Sequence, residues 1–180
     1  MPALIHHVPK PEHRDESDLN HTIKKSNFRM MNNEKISKFD DKHDSYHSRP
    51  PGNDYHSRSS GAYLVVERKT KRIKATISGK HQFGDFRIDW AAKHSSSQFN
   101  MTDVYHHLVM NHTPLVSSVE HSPGSYKNWK KLSERPGVHV SVQINGEGAS
   151  ASLGDDWHKN YDNRASGERI HRLVARKKYD

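Results

Sequence analysis

The chain has 180 residues, enough for one ordinary domain and a tail, and its 29 Lys and Arg against 21 Asp and Glu give a formal charge of +8. Only 31% of the residues are hydrophobic and the mean hydropathy is -1.06, which predicts that part of the chain is disordered. The absence of cysteine excludes disulfides and thiolate metal sites, and no apolar run is as long as a signal-peptide core or a membrane span.

The N-terminal third of the chain is rich in proline, histidine and charged residues. This composition predicts that residues 1–61 are a flexible N-terminal arm and linker, mostly disordered in the free protein, with at most a transient helix over residues 23–39. Residues 62–180 predict a compact basic α+β domain. Residues 1–61 hold 10 basic and 9 acidic side chains and residues 62–180 hold 19 and 12, so the excess positive charge belongs to the domain. That distribution favours a folded surface for nucleic acid or anionic lipid over a basic packaging arm.

A three-stranded meander is predicted where apolar residues first become dense and periodic. Residues 63–66 are an apolar run, and residues 72–77 and 85–90 alternate apolar with polar side chains, the period of a strand with one buried face. Residues 69–71 predict the first turn. Gly79 and Gly84 bracket the second.

Two helices and a hairpin are predicted after the meander. Asn100 is a candidate N-cap for a helix that Pro114 ends, and residues 125–132 predict a second, short helix. Residues 138–144 alternate in a strand pattern, and Asn145-Gly146 predicts a type I′ turn into a return strand that reaches residue 153. Residues 168–178 fit either a helix or a strand. The predicted fold is α+β, a single mainly antiparallel sheet with two or three helices on one side.

Three groups of basic residues form the candidate nucleic-acid or polyanion site. The first lies in the predicted hairpin, the second on the short helix and the third near the C-terminus. We expect the first and third to act as one surface that contacts phosphates and reads no base sequence. The alternative for the hairpin group is a solvated edge that discourages aggregation. The site residues are Arg68, Lys69, Lys71, Arg72, Lys74, Lys127, Lys130, Lys131, Arg169, Arg172, Arg176, Lys177 and Lys178.

Catalytic and metal-binding motifs are nearly absent from the sequence, so neither a cofactor nor a metal is predicted. The adjacent His106 and His107 diverge on a helix and cannot readily share a metal ion. One pattern favours an enzyme: Asp54 followed by Glu67-x-Lys69 after an apolar strand looks like the Asp…Glu-x-Lys pattern of restriction-type nucleases. In those enzymes two carboxylates hold a divalent cation and the lysine stabilises charge at the scissile phosphate.

The order of parts resembles the rhabdovirus matrix proteins, in which a flexible arm with a proline-rich late motif precedes a compact basic α+β domain. Residues 62–112 would be the first strands and helix, and residues 138–158 the later hairpin with its Asp/Trp segment. The sequence PPGNDY at residues 50–55 departs from the Pro-Pro-x-Tyr motif that recruits budding machinery.

The resemblance implies a non-enzymatic, viral structural protein that binds nucleic acid, nucleocapsid or an anionic membrane surface. It further implies self-association through the arm and a location in the virion and host cytoplasm, or simply inside the cell if the protein is not viral. A viral capsid protein and the metal-dependent nuclease are the alternatives. We also expect acidification to tighten polyanion binding and weaken self-association, because 16 histidines can gain charge near pH ~6.5.

Overall fold

The computed structural model describes residues 32–49, 59–94, 97–117, 123–144, 150–151 and 171–179. These residues form a single mixed, largely antiparallel sheet and two α-helices, which confirms the predicted fold at that level. The elements are β1 (Asn32–Lys38), β2 (His43–Arg49), β3 (Ser60–Glu67), β4 (Ile73–Gln82), β5 (Asp85–Lys93), α1 (Met101–Asn111), β6 (Leu115–Val116), α2 (Pro123–Ser133), β7 (Val138–Ile144), β8 (Ser150–Ala151) and β9 (His171–Lys177). Across the sheet the strand order is β1-β2-β3-β4-β5-β6-β9-β7-β8.

The predicted meander is present as β3, β4 and β5, which pair antiparallel in that order. The first turn is where the sequence predicts it, with Lys71 at a φ of 61°. The second turn is Phe83-Gly84, both residues having positive φ. Gly79 lies inside β4 instead, where a Cβ would lie 1.9 Å from the backbone oxygen of Arg87, so this glycine permits close strand packing rather than chain reversal.

Two register shifts change which side chains the meander buries together. Val65 pairs with Ala75 but Val66 pairs with Ile73, so Lys74 is an extra residue, as in a β-bulge. A second shift makes Asp89 the extra residue on β5. The shifts move Ile73, which precedes Lys74, and Trp90, which follows Asp89, to the face opposite the main core. Lys74, predicted to face solvent, is buried.

The predicted arm does not extend to residue 61, because residues 32–49 form strands β1 and β2 of the sheet. β1 pairs with β2, and β2 pairs with β3 along six residue pairs from His43↔Glu67 to Ser48↔Ala62. The carboxylate of Asp44 can be buried in β2 because it is paired: Arg68 and Lys35 both contact it. The predicted disorder of residues 1–31 and the linker at residues 50–58 lie outside the described residues.

Both predicted helices are confirmed. The Asn100 side chain accepts a hydrogen bond from the backbone of Asp103, whose carboxylate accepts one in return, a capping box that fixes where α1 begins. In α2, Trp129 and Leu132 are buried. β7 is confirmed as a strand, whereas the predicted Asn145-Gly146 turn lies outside the described residues.

The ambiguous C-terminal segment is a strand. β9 lies between β6 and β7 and pairs antiparallel with both, so both edges of this strand are hydrogen-bonded to sheet neighbours. Arg169, part of the predicted site, lies outside the described residues.

The two helices pack on one face of the sheet, which we call the helix-bearing face. The main core joins side chains of both helices with this face, including Phe86, Leu108, Trp129 and Leu173. The opposite, helix-free face carries a smaller apolar cluster around Leu64 near β3 and polar and basic side chains near β5 and β9. Neither helix in the described ranges is long and apolar enough to cross a bilayer.

Candidate nucleic-acid interface

Strand alternation brings two arginines together on the helix-free face. Phe86 is buried beneath the helices, so Arg87, the next residue of β5, points to the opposite face. Ala175 and Arg176 are related in the same way on β9. Between them lies a cavity of about 380 Å³, which we call the basic pocket. The basic pocket is lined by Gln82, Phe83, Asp85, Arg87, Val116, Gln143 and Arg176.

The basic pocket contains both paired and unpaired polar atoms. The Nη2 atom of Arg176 donates to Oδ2 of Asp85 at 3.0 Å, which holds that guanidinium at the pocket wall. Nε of Arg87 and Oε1 of Gln143 are shielded from solvent and have no hydrogen-bond partner among the described residues. A buried polar atom left unpaired costs about 1–3 kcal/mol, so both side chains are less favourable in this arrangement than fully paired ones would be.

Further cations surround the basic pocket. Lys80 lies directly across from Arg87 in the β4–β5 pairing, an arrangement of like charges that destabilises a sheet. Arg172 of β9 pairs with the pocket residue Gln143 of β7 and donates through Nη1 to the backbone oxygen of Ser117 at 3.0 Å. Four cations, those of Lys80, Arg87, Arg172 and Arg176, share this region with the carboxylates of Asp85 and Asp89. The excess of positive charge suits a polyanion.

The hairpin group is less available than the sequence predicts. Arg68 is a structural residue: its Nε donates to Asp44 at 3.1 Å and its Nη atoms donate to the backbone oxygens of Asp40 and Asp41. Lys74 is buried. Lys69, Lys71 and Arg72 are the exposed cations of this group.

The hairpin group and the C-terminal group do not form one surface, contrary to the prediction. Ala75 pairs with Lys93 of β5, whereas Ala175 lies level with Phe86 through β6. These levels are separated by seven residues of β5, roughly 23 Å at strand spacing. The exposed cations lie beyond both levels, at opposite ends of the sheet.

The lysines of α2 are also separate from the basic pocket. Lys127, Lys130 and Lys131 are exposed, as predicted, but α2 packs on the helix-bearing face. Lys177 and Lys178 are exposed at the end of β9, close in sequence to Arg176. Of the predicted groups, the C-terminal one therefore contributes most to the basic pocket.

The described part of the chain forms no metal site at the Asp…Glu-x-Lys pattern. The Oγ1 atom of Thr70 donates to Oε1 of Glu67 at 2.5 Å, and this hydrogen bond lowers the pKa of Glu67. The carboxylate thus closes the turn that carries Lys69. Asp54 lies outside the described residues, within which no group of three or more His, Asp or Glu side chains is placed to bind a metal.

A cluster of histidines lies on the helix-bearing face, between the sheet and α1, and reaches the level of Phe86 through His81. Nε2 of His47 and Nε2 of His81 are 3.1 Å apart, so one ring donates a hydrogen bond to the other. The rings of His47 and His112 both contact the ring of Tyr63. The histidine cluster consists of His47, His81, His107 and His112.

Hydrogen bonds to two serines orient the fourth member of the histidine cluster. Nε2 of His107 lies 3.0 Å from Oγ of Ser37 and 3.0 Å from Oγ of Ser45. Burial lowers the pKa of His107 to about 4, with the charges of His112 and His106 adding to the effect. A histidine that stays neutral in this way is a structural group at neutral pH, held between β1, β2 and α1.

Sequence reasoning missed Lys80, Phe83, Arg87 and Gln143 as site residues. Arg87 belongs to the polar half of an alternating strand and carries no signal of its own. Phe83-Gly84 was the available clue, because an aromatic residue next to the glycine of a predicted turn has to project outward. No family model, curated protein or solved structure matches this chain.

Proposed function

We propose that this is a non-enzymatic structural or assembly protein that binds nucleic acid through the helix-free face. The observation that carries the proposal is the basic pocket, in which Arg87 and Arg176 converge from strands that are distant in sequence. Lys80, Arg87 and Arg172 share the single carboxylate of Asp89, so a bound polyanion would supply the negative charge that this region lacks.

The shape of the basic pocket favours nucleic acid over a flat anionic membrane. A cavity of about 380 Å³ is within the size range of small-ligand sites, and could admit one nucleotide unit. The guanidinium of Arg87 and the amide of Gln143 both line the cavity, and such groups suit a phosphate and a base edge respectively. A planar array of lipid headgroups would use the cations but not the cavity.

The assembly role is the part of the proposal that comes from the resemblance to rhabdovirus matrix proteins. It comprises binding to nucleocapsid, self-association through the N-terminal residues and a place in the virion. Binding to RNA through the basic pocket is compatible with that role, and with a capsid protein as the alternative.

Fluorescence anisotropy with a short labelled single-stranded RNA tests the proposed function in the full-length chain. The double variant Arg87→Gln/Arg176→Gln removes two pocket cations, and the matched control Lys69→Gln/Lys71→Gln removes the same charge at the opposite end. We expect the pocket variant to lose affinity by about tenfold or more. Its slope of log affinity against log salt should become shallower by about 1.4, the value for two lost contacts to a single strand.

Two outcomes would contradict the proposed function. Equal losses for the pocket variant and the control would mean that net charge, not the basic pocket, governs binding. No binding by the wild-type protein to RNA, together with binding to phosphatidylserine vesicles, would assign the cations to a membrane surface. Thermal unfolding of each variant checks that the fold is retained.

A further inference from the structure

The turn beside the basic pocket contains a residue that is unfavourable there for two reasons. Gln82 pairs with Asp85, so Phe83 and Gly84 form a two-residue turn, with φ values of 53° and 81°. Positive φ at both central positions defines a type I′ turn, for which Asn-Gly is strongly preferred. A bulky residue in the left-handed region costs of the order of 1 kcal/mol more than glycine.

The second unfavourable feature is exposure. The side chain of Phe83 is 98% exposed, the largest exposure among the large hydrophobic residues described. A lone exposed apolar residue is common on protein surfaces and by itself indicates nothing. Here the phenyl ring combines exposure with a strained backbone position, and it forms part of the rim of a cationic cavity.

A second exposed aromatic side chain lies at the same end of the sheet. Tyr179 is 87% exposed and lies two residues after the end of β9. Ala175 lies level with Phe86, and residues further along β9 approach the level of the β4–β5 turn, because β9 runs antiparallel to β5. The end of the sheet with the basic pocket thus carries two exposed aromatic rings among cations, the combination found on platforms that bind single strands.

We propose that Phe83 stacks on an unpaired base whose strand enters the basic pocket, so that the protein selects single-stranded over double-stranded nucleic acid. This inference rests on the proposed function and adds the class of nucleic acid. Cations attract the phosphates of either form, whereas a base face is available to a phenyl ring only where the base is unstacked from its neighbours. The strain at Phe83 is then retained because the ring makes its contact in the complex.

The variant Phe83→Asn separates a role of the ring in RNA binding from a role in stability. If the ring stabilised the fold, its loss would lower the melting temperature, whereas a stacking ring would leave stability intact and its loss would lower the affinity for RNA. Asparagine is preferred in a type I′ turn, so the melting temperature should stay the same or rise. Affinity for a short single-stranded RNA should fall at least about fivefold, the loss expected when one stacked base is released. The salt dependence should be unchanged, since no cation is removed, and Phe83→Tyr should restore most of the affinity.

A duplex of the same sequence provides the second arm of the experiment. We expect the wild-type protein to bind it more weakly than the single strand, and Phe83→Asn to leave duplex binding unchanged. Equal affinity for the single strand and the duplex would overturn the inference, and so would an undiminished single-strand affinity in Phe83→Asn. The proposed function would still hold in either case if Arg87→Gln/Arg176→Gln weakens RNA binding. A Phe83→Asn variant that loses affinity only for anionic vesicles would identify the ring as a membrane contact and overturn it as well.

Discussion

Acidification should destabilise this protein in a pH range where most proteins change little, because the histidine cluster must stay neutral to remain packed. Burial, followed by the charges of His81, Arg49 and His112, lowers the pKa of His47 to about 4 from its ordinary 6.5. His107 has a similarly lowered pKa of about 4. Between these values the unfolded chain binds more protons than the folded one. Stability is therefore complete above pH ~6.5 and is lost as the pH falls towards ~4.

The size of the effect follows from these two pKa values. At pH ~5 a histidine whose pKa falls from 6.5 to about 4 contributes about 2 kcal/mol less stability than at pH ~7.5. Both rings are only partly buried, so we halve the contribution for solvent screening and expect a total loss of about 2 kcal/mol for His47 and His107 together. In a domain of this size that loss lowers the melting temperature by roughly 4–8 °C.

The assay is urea unfolding of the full chain at several values between pH ~7.5 and ~5, in the wild type and in His47→Gln/His107→Gln. The double variant should show a flatter dependence of stability on pH, and His139→Gln, which changes an exposed ring on the helix-free face, should match the wild type. Burial raises the pKa of Asp44, but hydrogen bonds from Arg68 and Lys35 lower it overall, so this carboxylate affects stability only at more acidic pH. A wild-type free energy of unfolding that stays constant between pH ~7.5 and ~5 would show that the histidine cluster does not have to stay neutral to remain packed.

Two substitutions test the fold that supports the basic pocket. Gly79→Ala should lower the free energy of unfolding by about 2 kcal/mol or more, because its Cβ would lie 1.9 Å from the backbone oxygen of Arg87; an unchanged urea midpoint would show that the strands are not so close. Asn100→Ala should cost about 1 kcal/mol by removing the capping box of α1, with helix content by circular dichroism retained; a loss below a few tenths would mean that the cap is not formed in solution.

Local signals made the helices and several strands predictable. The capping box at Asn100, the spacing of buried residues in α1 and the alternation in β7 each depend on residues within one turn or one strand. Such patterns are legible in a single sequence because neighbours along the chain suffice to produce them. Residues 168–178 fit both a helix and a strand, and residues 171–177 are a strand because they lie between β6 and β7. Local residues do not encode that position in the sheet.

The strands of the supposed arm were not predictable in this way. In β2 polar side chains are buried on both faces, Asp44 on one and Ser45 on the other, so the apolar alternation that identifies a strand is missing. Their partners, Arg68 and His107, lie far away in the chain. A hydrophobicity pattern cannot reveal burial that depends on polar pairing across such distances.

The candidate site was only partly predictable for a related reason. Charge density along the chain identified the C-terminal group, but the assumption that two dense groups meet was wrong, since β4 and β9 lie in different parts of the sheet. Arg87 lies outside any dense group and becomes a pocket residue because β5, β6 and β9 are neighbours. The bulges at Lys74 and Asp89 also shift which side chains share a face, and neither leaves a clear mark in the sequence.

Amide hydrogen exchange of the full-length protein, with and without a single-stranded RNA, tests the central claim most directly because it locates the bound strand on the molecule. We predict slowed exchange in residues 80–88 and 172–179, which surround the basic pocket. Exchange should stay unchanged in the hairpin turn at residues 69–72 and along α2. Slowing confined to the hairpin turn or α2, with residues 80–88 unaffected, would contradict the claim that the helix-free face binds nucleic acid.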